Sequence, residues 1–194
     1  VSGDEPLWVF CPRNGMRVFP MDEDALIGCA PLNIPNCRHG FVYYTKGGEE
    51  PSEWGGRLAP ELGLVGRVDP HVFEELLAGR VAGQQLGRHR IGGEIQHHSG
   101  WDFAVNAPKS VSIMALVAGD ERIIAAHEQA VTTALSYMEE HAALRRRENG
   151  EIVHETTGRL LFARFTEHSS RELDPHLHTH VVVLNRVQAV SDGG

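Results

Sequence analysis

Apolar and polar positions set the first picture. Near the end of the chain His176, His178 and His180 alternate with Leu177 and Thr179, and the run continues as Val181, Val182, Val183 and Leu184. Alternation that passes into a β-branched apolar run predicts a strand over 177–185, buried along its second half. Residues 159–166 read as another strand, 101–105 as a third with clear alternation, and Ile152 with Val153 as a short one. Residues 7–10 and 16–19 have the apolar character of two short strands. The rest of 1–40, with prolines at 6, 12, 20, 31 and 35, shows no period.

Helical signals stand between the strands. Asp69 is a good N-cap, Pro70 suits the first helical position, and Gly79 ends a short helix. Pro108 opens a helix over 109–117 that Gly119 stops. Asp120 caps a longer one, whose apolar positions Ile123, Ile124, Ala130, Ala134, Leu135 and Met138 recur at helical spacing. It is expected to reach about Arg147, so that Arg145, Arg146 and Arg147 meet the negative end of the helix dipole. Asn149-Gly150 is a turn. The strands at 159–166 and 177–185 are close enough in sequence to pair antiparallel, with helices covering a face. The expected fold class is α+β, an antiparallel β-sheet flanked by helices. The expected division is an atypical segment over 1–40 and an organised domain over 41–194.

Composition narrows the function classes. The 194 residues suffice for one domain with a real core. A formal charge of -8 argues against holding nucleic acid by bulk electrostatics and leaves local basic patches to do so. The three cysteines, Cys11, Cys29 and Cys37, have no metal-ligand spacing, and their odd count suggests a reducing compartment. No apolar run is long enough to span a membrane, and no leader-like segment opens the chain. The first residue is not Met, and the final Ser191-Asp-Gly-Gly194 reads as a hairpin turn with one arm missing, so the chain is expected to be a fragment.

The twelve histidines change the picture most. On a strand, His176, His178 and His180 share one side, with neighbouring imidazoles roughly 7 Å apart at a rise of about 3.3–3.4 Å per residue. Two of the three can share one ion, and a further ligand must come from a neighbouring strand. Glu167 and His168 are the candidates, of which only one faces the histidines. Three protein ligands with an open position make a catalytic site. Asp102 is placed to take the far ring nitrogen of a ligand histidine. Tyr43 and Tyr44 are candidate nucleophiles, and Lys109 and Arg171 candidate phosphate contacts. The loop Arg88-His89-Arg90 and the run 145–147 offer further positive charge.

Together these residues resemble the conjugative relaxases of the TrwC/TraI type, within the HUH endonuclease superfamily. The resemblance rests on Tyr43-Tyr44 with Ser52-Glu-Trp54, Glu61-Leu-Gly-Leu64, Glu75-Leu-Leu-Ala-Gly79, Asp102 with Ala107-Pro-Lys-Ser-Val-Ser112, and Ser170 to His180. It implies a palm- or ferredoxin-like antiparallel core and an enzyme that cuts one DNA strand at a plasmid transfer origin. A tyrosine attacks the scissile phosphate and stays joined to the 5′ phosphate. A divalent metal ion (Mg, Mn or Zn) held by three histidines polarises the phosphate. The partners implied are single-stranded DNA of the transfer origin and accessory conjugation proteins, in the bacterial cytoplasm.

By position, His178 and His180 match two metal ligands, Asp102 the supporting carboxylate, and Tyr43 and Tyr44 the second of two tyrosine pairs. Two positions depart from the pattern. Glu167 stands where the third histidine belongs, with His168 beside it, and Pro35-Asn36 stands where the first tyrosine pair belongs. The competing expectations are an inactive fragment that at most binds single-stranded DNA, and an iron enzyme using Glu167, His178 and His180.

Overall fold

The computed structural model describes residues 9–10, 17–18, 27–33, 51–81, 84–85, 88–89, 95–96, 98–170 and 172–185. Two short strands, β1 (Val9–Phe10) and β2 (Arg17–Val18), pair as a ribbon where sequence reading expected them. Then come β3 (Ile27–Asn33), β4 (Ser52–Gly55), α1 (Leu58–Glu61) and α2 (Pro70–Leu77). Two-residue strands follow: β5 (Arg80–Val81), β6 (Gln84–Gln85), β7 (Arg88–His89) and β8 (Ile95–Gln96). The second half holds β9 (His98–Asn106), α3 (Lys109–Leu116), α4 (Glu121–Glu140), β10 (Ala143–Glu148), β11 (Glu151–Thr156), β12 (Phe162–Ser169) and β13 (Pro175–Leu184).

The central sheet has five strands in the order β3-β9-β13-β12-β4, every pair antiparallel. The α+β class and the pairing of β12 with β13 follow the sequence expectation. Helices cover both faces rather than one. Because side chains alternate along β13, each face takes its own partner layer. Val182 and Leu184 join Trp54, Leu58, Phe73, Leu76 and Leu77, so α1 and α2 pack on their side. Val181 and Val183 join Trp101, Phe103, Val131 and Leu135, so α4 packs on the other. Leu177, fully buried on that second side, meets Ala107 and Ala115 beside α3.

The local signals act as expected where capping chemistry decides. Asp69 accepts bonds from the backbone N–H of His71 at 2.9 Å and Val72 at 3.0 Å. Asp120 accepts one from Arg122 at 3.1 Å. Gly100 answers to close packing within β9: a Cβ there would lie 2.1 Å from the Val183 carbonyl oxygen.

Three further expectations are corrected. The long helix stops at Glu140, not near Arg147, and residues 145–147 lie in β10. The cause is the turn: Asn149 (φ 51°) and Gly150 (φ 89°) form a tight hairpin turn, and β10 and β11 zip in register from Glu148↔Glu151 to Ala143↔Thr156. Glu139, buried near the helix end, accepts the backbone N–H of Arg57 at 2.7 Å and of Leu160 at 2.8 Å, which anchors that last turn. Residues 27–33, which showed no pattern, form the sheet edge against β9. The strand expected at 159–166 is shifted to 162–169, leaving Leu160 and Leu161 as buried lead-in residues.

Candidate metal centre

Strand alternation and cross-strand register build the site. His178 sits opposite Glu167 on β12 and opposite Asn106 on β9, while His180 sits opposite Phe165 and Ala104. Residues directly opposite share a face, so Glu167 meets His178 with no rearrangement. Asp102 is opposite Val182 and reaches His180 along the diagonal. A tight loop sets this register. The Ser170 hydroxyl accepts the N–H groups of Glu172 at 3.2 Å and Asp174 at 3.3 Å, and Leu173 takes a left-handed φ of 64°. At the other end of the same strand face, α2 covers Val182 and Leu184.

One ligand atom from each of Glu167, His178 and His180 lies within 4.8 Å of the others. His178 Nε2 is 3.5 Å from Glu167 Oε2, with side chains 7% and 9% exposed. Two donors about 2.1 Å from one ion would stand roughly 3.4 Å apart across a tetrahedral angle. Two hydrogen bonds prepare the rings. His178 Nδ1 donates to the His176 carbonyl at 3.0 Å, and His180 Nδ1 donates to Asp102 Oδ1 at 3.1 Å. A carbonyl and a carboxylate both accept, so each Nδ1 carries the proton and each Nε2 keeps its lone pair for an ion. The donor set therefore fits a divalent metal. Asp102→Asn keeps the shape and removes the charge behind His180. We expect it to weaken Mn²⁺ affinity by about 10–100-fold, as outer partners of ligand histidines do, checked by titration calorimetry.

The other expected residues fall as follows. His168 is exposed at the register irregularity between Glu167 and Ser169 and lies outside the trio. His176 stacks on His178, with ring centroids 4.4 Å apart. Burial is the main cause that holds its pKa below the usual histidine value, followed by the charges His178, Lys109 and His180 would carry. The rings lean together more closely than a flat strand suggests, and His178 meets His180 edge-on at 5.1 Å. Lys109, the first residue of α3, donates to the Pro175 carbonyl at 3.1 Å and pairs with Asp174 at 3.4 Å, at the mouth of β13. Tyr43, Tyr44 and Arg171 lie outside the described residues, as does Arg90.

Sequence reading missed the layer behind the site. Thr179, between the two histidines, points to the opposite face. Its hydroxyl is 3.0 Å from His127 Nε2 on α4 and 3.2 Å from Thr166 Oγ1, and Thr166 donates to Glu128 at 2.9 Å. Ser112 on α3 accepts the Leu177 N–H at 3.0 Å and is fully buried. The available signal was spacing: His127 shares the helical stripe of Val131 and Leu135.

Burial, the largest cause, pushes the His127 pKa below its ordinary 6.5, with Glu128 opposing. An unfolded chain then binds more protons than the folded one as pH falls through 6.5, so stability is full above that value and declines below it. His127→Gln is expected to flatten this acid limb, checked by urea midpoints between about pH 7 and pH 5.

The fold and site define a class. This is an α+β protein whose antiparallel sheet brings two imidazoles of its central strand β13 and a carboxylate of the adjacent β12 together as a candidate metal set. The chain belongs to the TrwC relaxase family, whose family model matches residues 30–194. It is 45% identical over 147 residues to the multifunctional conjugation protein TraI of Escherichia coli, which covers 75% of this chain and 8% of that protein. Among solved structures, it resembles the metal-bound conjugative relaxase TrwC in complex with oriT DNA, at 41% identity and a TM-score of 0.77. That match covers 87% of this chain and 59% of the other. A copper-bound TrwC–oriT DNA complex matches at 39% identity and a TM-score of 0.73, covering 85% of this chain and 59% of that one. The chain thus spans under a tenth of TraI and about three-fifths of the solved relaxases. No helix among the described residues is long and apolar enough to cross a membrane.

Proposed function

We propose that this chain is the metal-binding part of a conjugative relaxase that nicks one strand of plasmid DNA at a transfer origin. The observation that carries the reading is the convergence of Glu167, His178 and His180, with Asp102 behind His180. These three residues would hold the ion. A bound divalent cation, Mg²⁺, Mn²⁺ or Zn²⁺, would draw charge from the non-bridging oxygens of the scissile phosphate. The Glu167 carboxylate shifts the preference toward the harder ions of that group.

The chain's own residues supply the rest. Tyr43 or Tyr44 attacks phosphorus through its phenolic oxygen and gives up its proton. The new bond joins tyrosine to the 5′ phosphate, and the P–O3′ bond breaks to release a 3′-hydroxyl, which takes up a proton. Lys109, half exposed at the first turn of α3, and Arg171 are the residues that would contact the DNA backbone phosphates. The reaction partner is single-stranded transfer-origin DNA, in the bacterial cytoplasm with accessory conjugation proteins.

The test incubates the full chain with a single-stranded oligonucleotide carrying a transfer-origin nick site and Mn²⁺. A covalent protein–DNA adduct on denaturing gels is the expected result, lost in the Tyr43→Phe/Tyr44→Phe double variant. Undiminished adduct in that variant would overturn the nucleophile assignment. A mobility shift without any adduct would favour the non-catalytic reading that Pro35-Asn36 suggests.

A further inference from the structure

His176 matches no expected metal ligand, yet it touches His178 in two ways. Its ring lies face to face with the His178 ring, centroids 4.4 Å apart and planes 14° from parallel. Its backbone carbonyl accepts the His178 Nδ1–H at 3.0 Å. The carbonyl contact constrains one edge of the His178 ring, and the stack constrains the plane. His180 obtains its orientation differently, from the Asp102 carboxylate at 3.1 Å.

We propose that His176 is a positioning residue for the metal centre: its ring, stacked on His178, holds the His178 imidazole in the plane that aims Nε2 at the ion. The inference rests on the metal reading above. Three features of the site support it. A ring on a Cβ–Cγ axis retains a broad torsion unless packing narrows it. The His178 side chain sits at 7% exposure beside Glu167, so a rotated ring would aim its lone pair away from the carboxylate it shares the ion with. The backbone carbonyl is present whatever residue stands at 176, so the side chain bears on the plane of the His178 ring through the stack. Any flat aromatic ring can provide it.

That last point makes the inference testable by side-chain shape. The full chain and three variants, His176→Ala, His176→Phe and His178→Ala, are titrated with Mn²⁺ and followed by the loss of free Mn²⁺ signal in electron paramagnetic resonance. Circular dichroism melts confirm that each variant is folded. His176→Ala is expected to weaken Mn²⁺ binding by about 10-fold, the lower end for a residue that orients a ligand. His176→Phe is expected to stay within about 3-fold of the original, because it keeps the stack without the ring nitrogens. Equal affinity of His176→Ala and the original chain overturns the proposal. So does an equal loss in His176→Phe and His176→Ala, which would make His176 a direct ligand. Failure of the underlying metal reading shows separately, as unchanged binding in His178→Ala.

Discussion

Replacing His178 with alanine is expected to remove Mn²⁺ binding over the range where the original chain saturates. Residues that merely orient a ligand histidine are worth about 10–100-fold in affinity, so deleting a direct donor should cost at least about 100-fold. The geometry says why His178 is the sharpest choice. It is the ring opposite Glu167, its Nε2 stands 3.5 Å from that carboxylate, and its proton is held away on Nδ1. Alanine leaves Glu167 and His180 as two donors, too few to displace the ion's water shell effectively. Nicking should fall in parallel, since the proposed chemistry needs charge drawn from the phosphate at that point. Glu167→His should behave differently. It supplies a neutral imidazole in place of a carboxylate, so affinity for Mn²⁺ should drop while the preference moves toward softer ions. Calorimetric titrations of the three proteins check this. Unchanged Mn²⁺ affinity in His178→Ala would remove the site from consideration.

The second large effect concerns stability. Phe73 has no exposed surface, and its ring meets Phe165 at 5.4 Å and Trp54 at 6.1 Å. It is the wedge between α2 and the sheet, on the same face as the candidate metal ligands. Phe73→Ala is expected to cost about 3–5 kcal/mol, from lost transfer energy plus the cavity left among rigid strands. That is a large share of a typical domain's stability of about 5–15 kcal/mol. Urea unfolding followed by tryptophan fluorescence reads it directly, because Trp54 lines the cavity. A loss under about 1 kcal/mol would mean that α2 collapses onto the sheet and fills the gap.

Several parts of the fold were legible because short-range chemistry governs them. Asp69 and Asp120 cap helices through their own carboxylates, and Gly79 and Gly119 take positive φ values of 77° and 73° past helix ends. Residues 143–148 show where that reasoning stops. The helical spacing that runs to Met138 points onward, and the arginines suit a helix C-terminus. The Asn149-Gly150 turn overrides both by pairing that segment with β11. Residues 27–33 show the same limit from the other side. Pro31 and a weak pattern argue against a strand, yet pairing to β9 makes one, at a sheet edge where proline is tolerated.

The candidate metal centre divides along the same line. A strand's period of two settled from the sequence that His176, His178 and His180 share a side and that the apolar run beyond them is buried. It also restricted the neighbouring strand to either Glu167 or His168. Choosing between them required the register of β12 on β13, which depends on the Ser170 loop and on pairings across the whole sheet. Only the tertiary structure put Glu167 opposite His178 and left His168 outside. It also stacked His176 on His178 and set Thr179 against His127 behind them. A sequence pattern encodes which face a side chain takes. Register and ring orientation come from contacts between residues far apart in the chain, here 52 positions for His127 and Thr179 and 78 for Asp102 and His180.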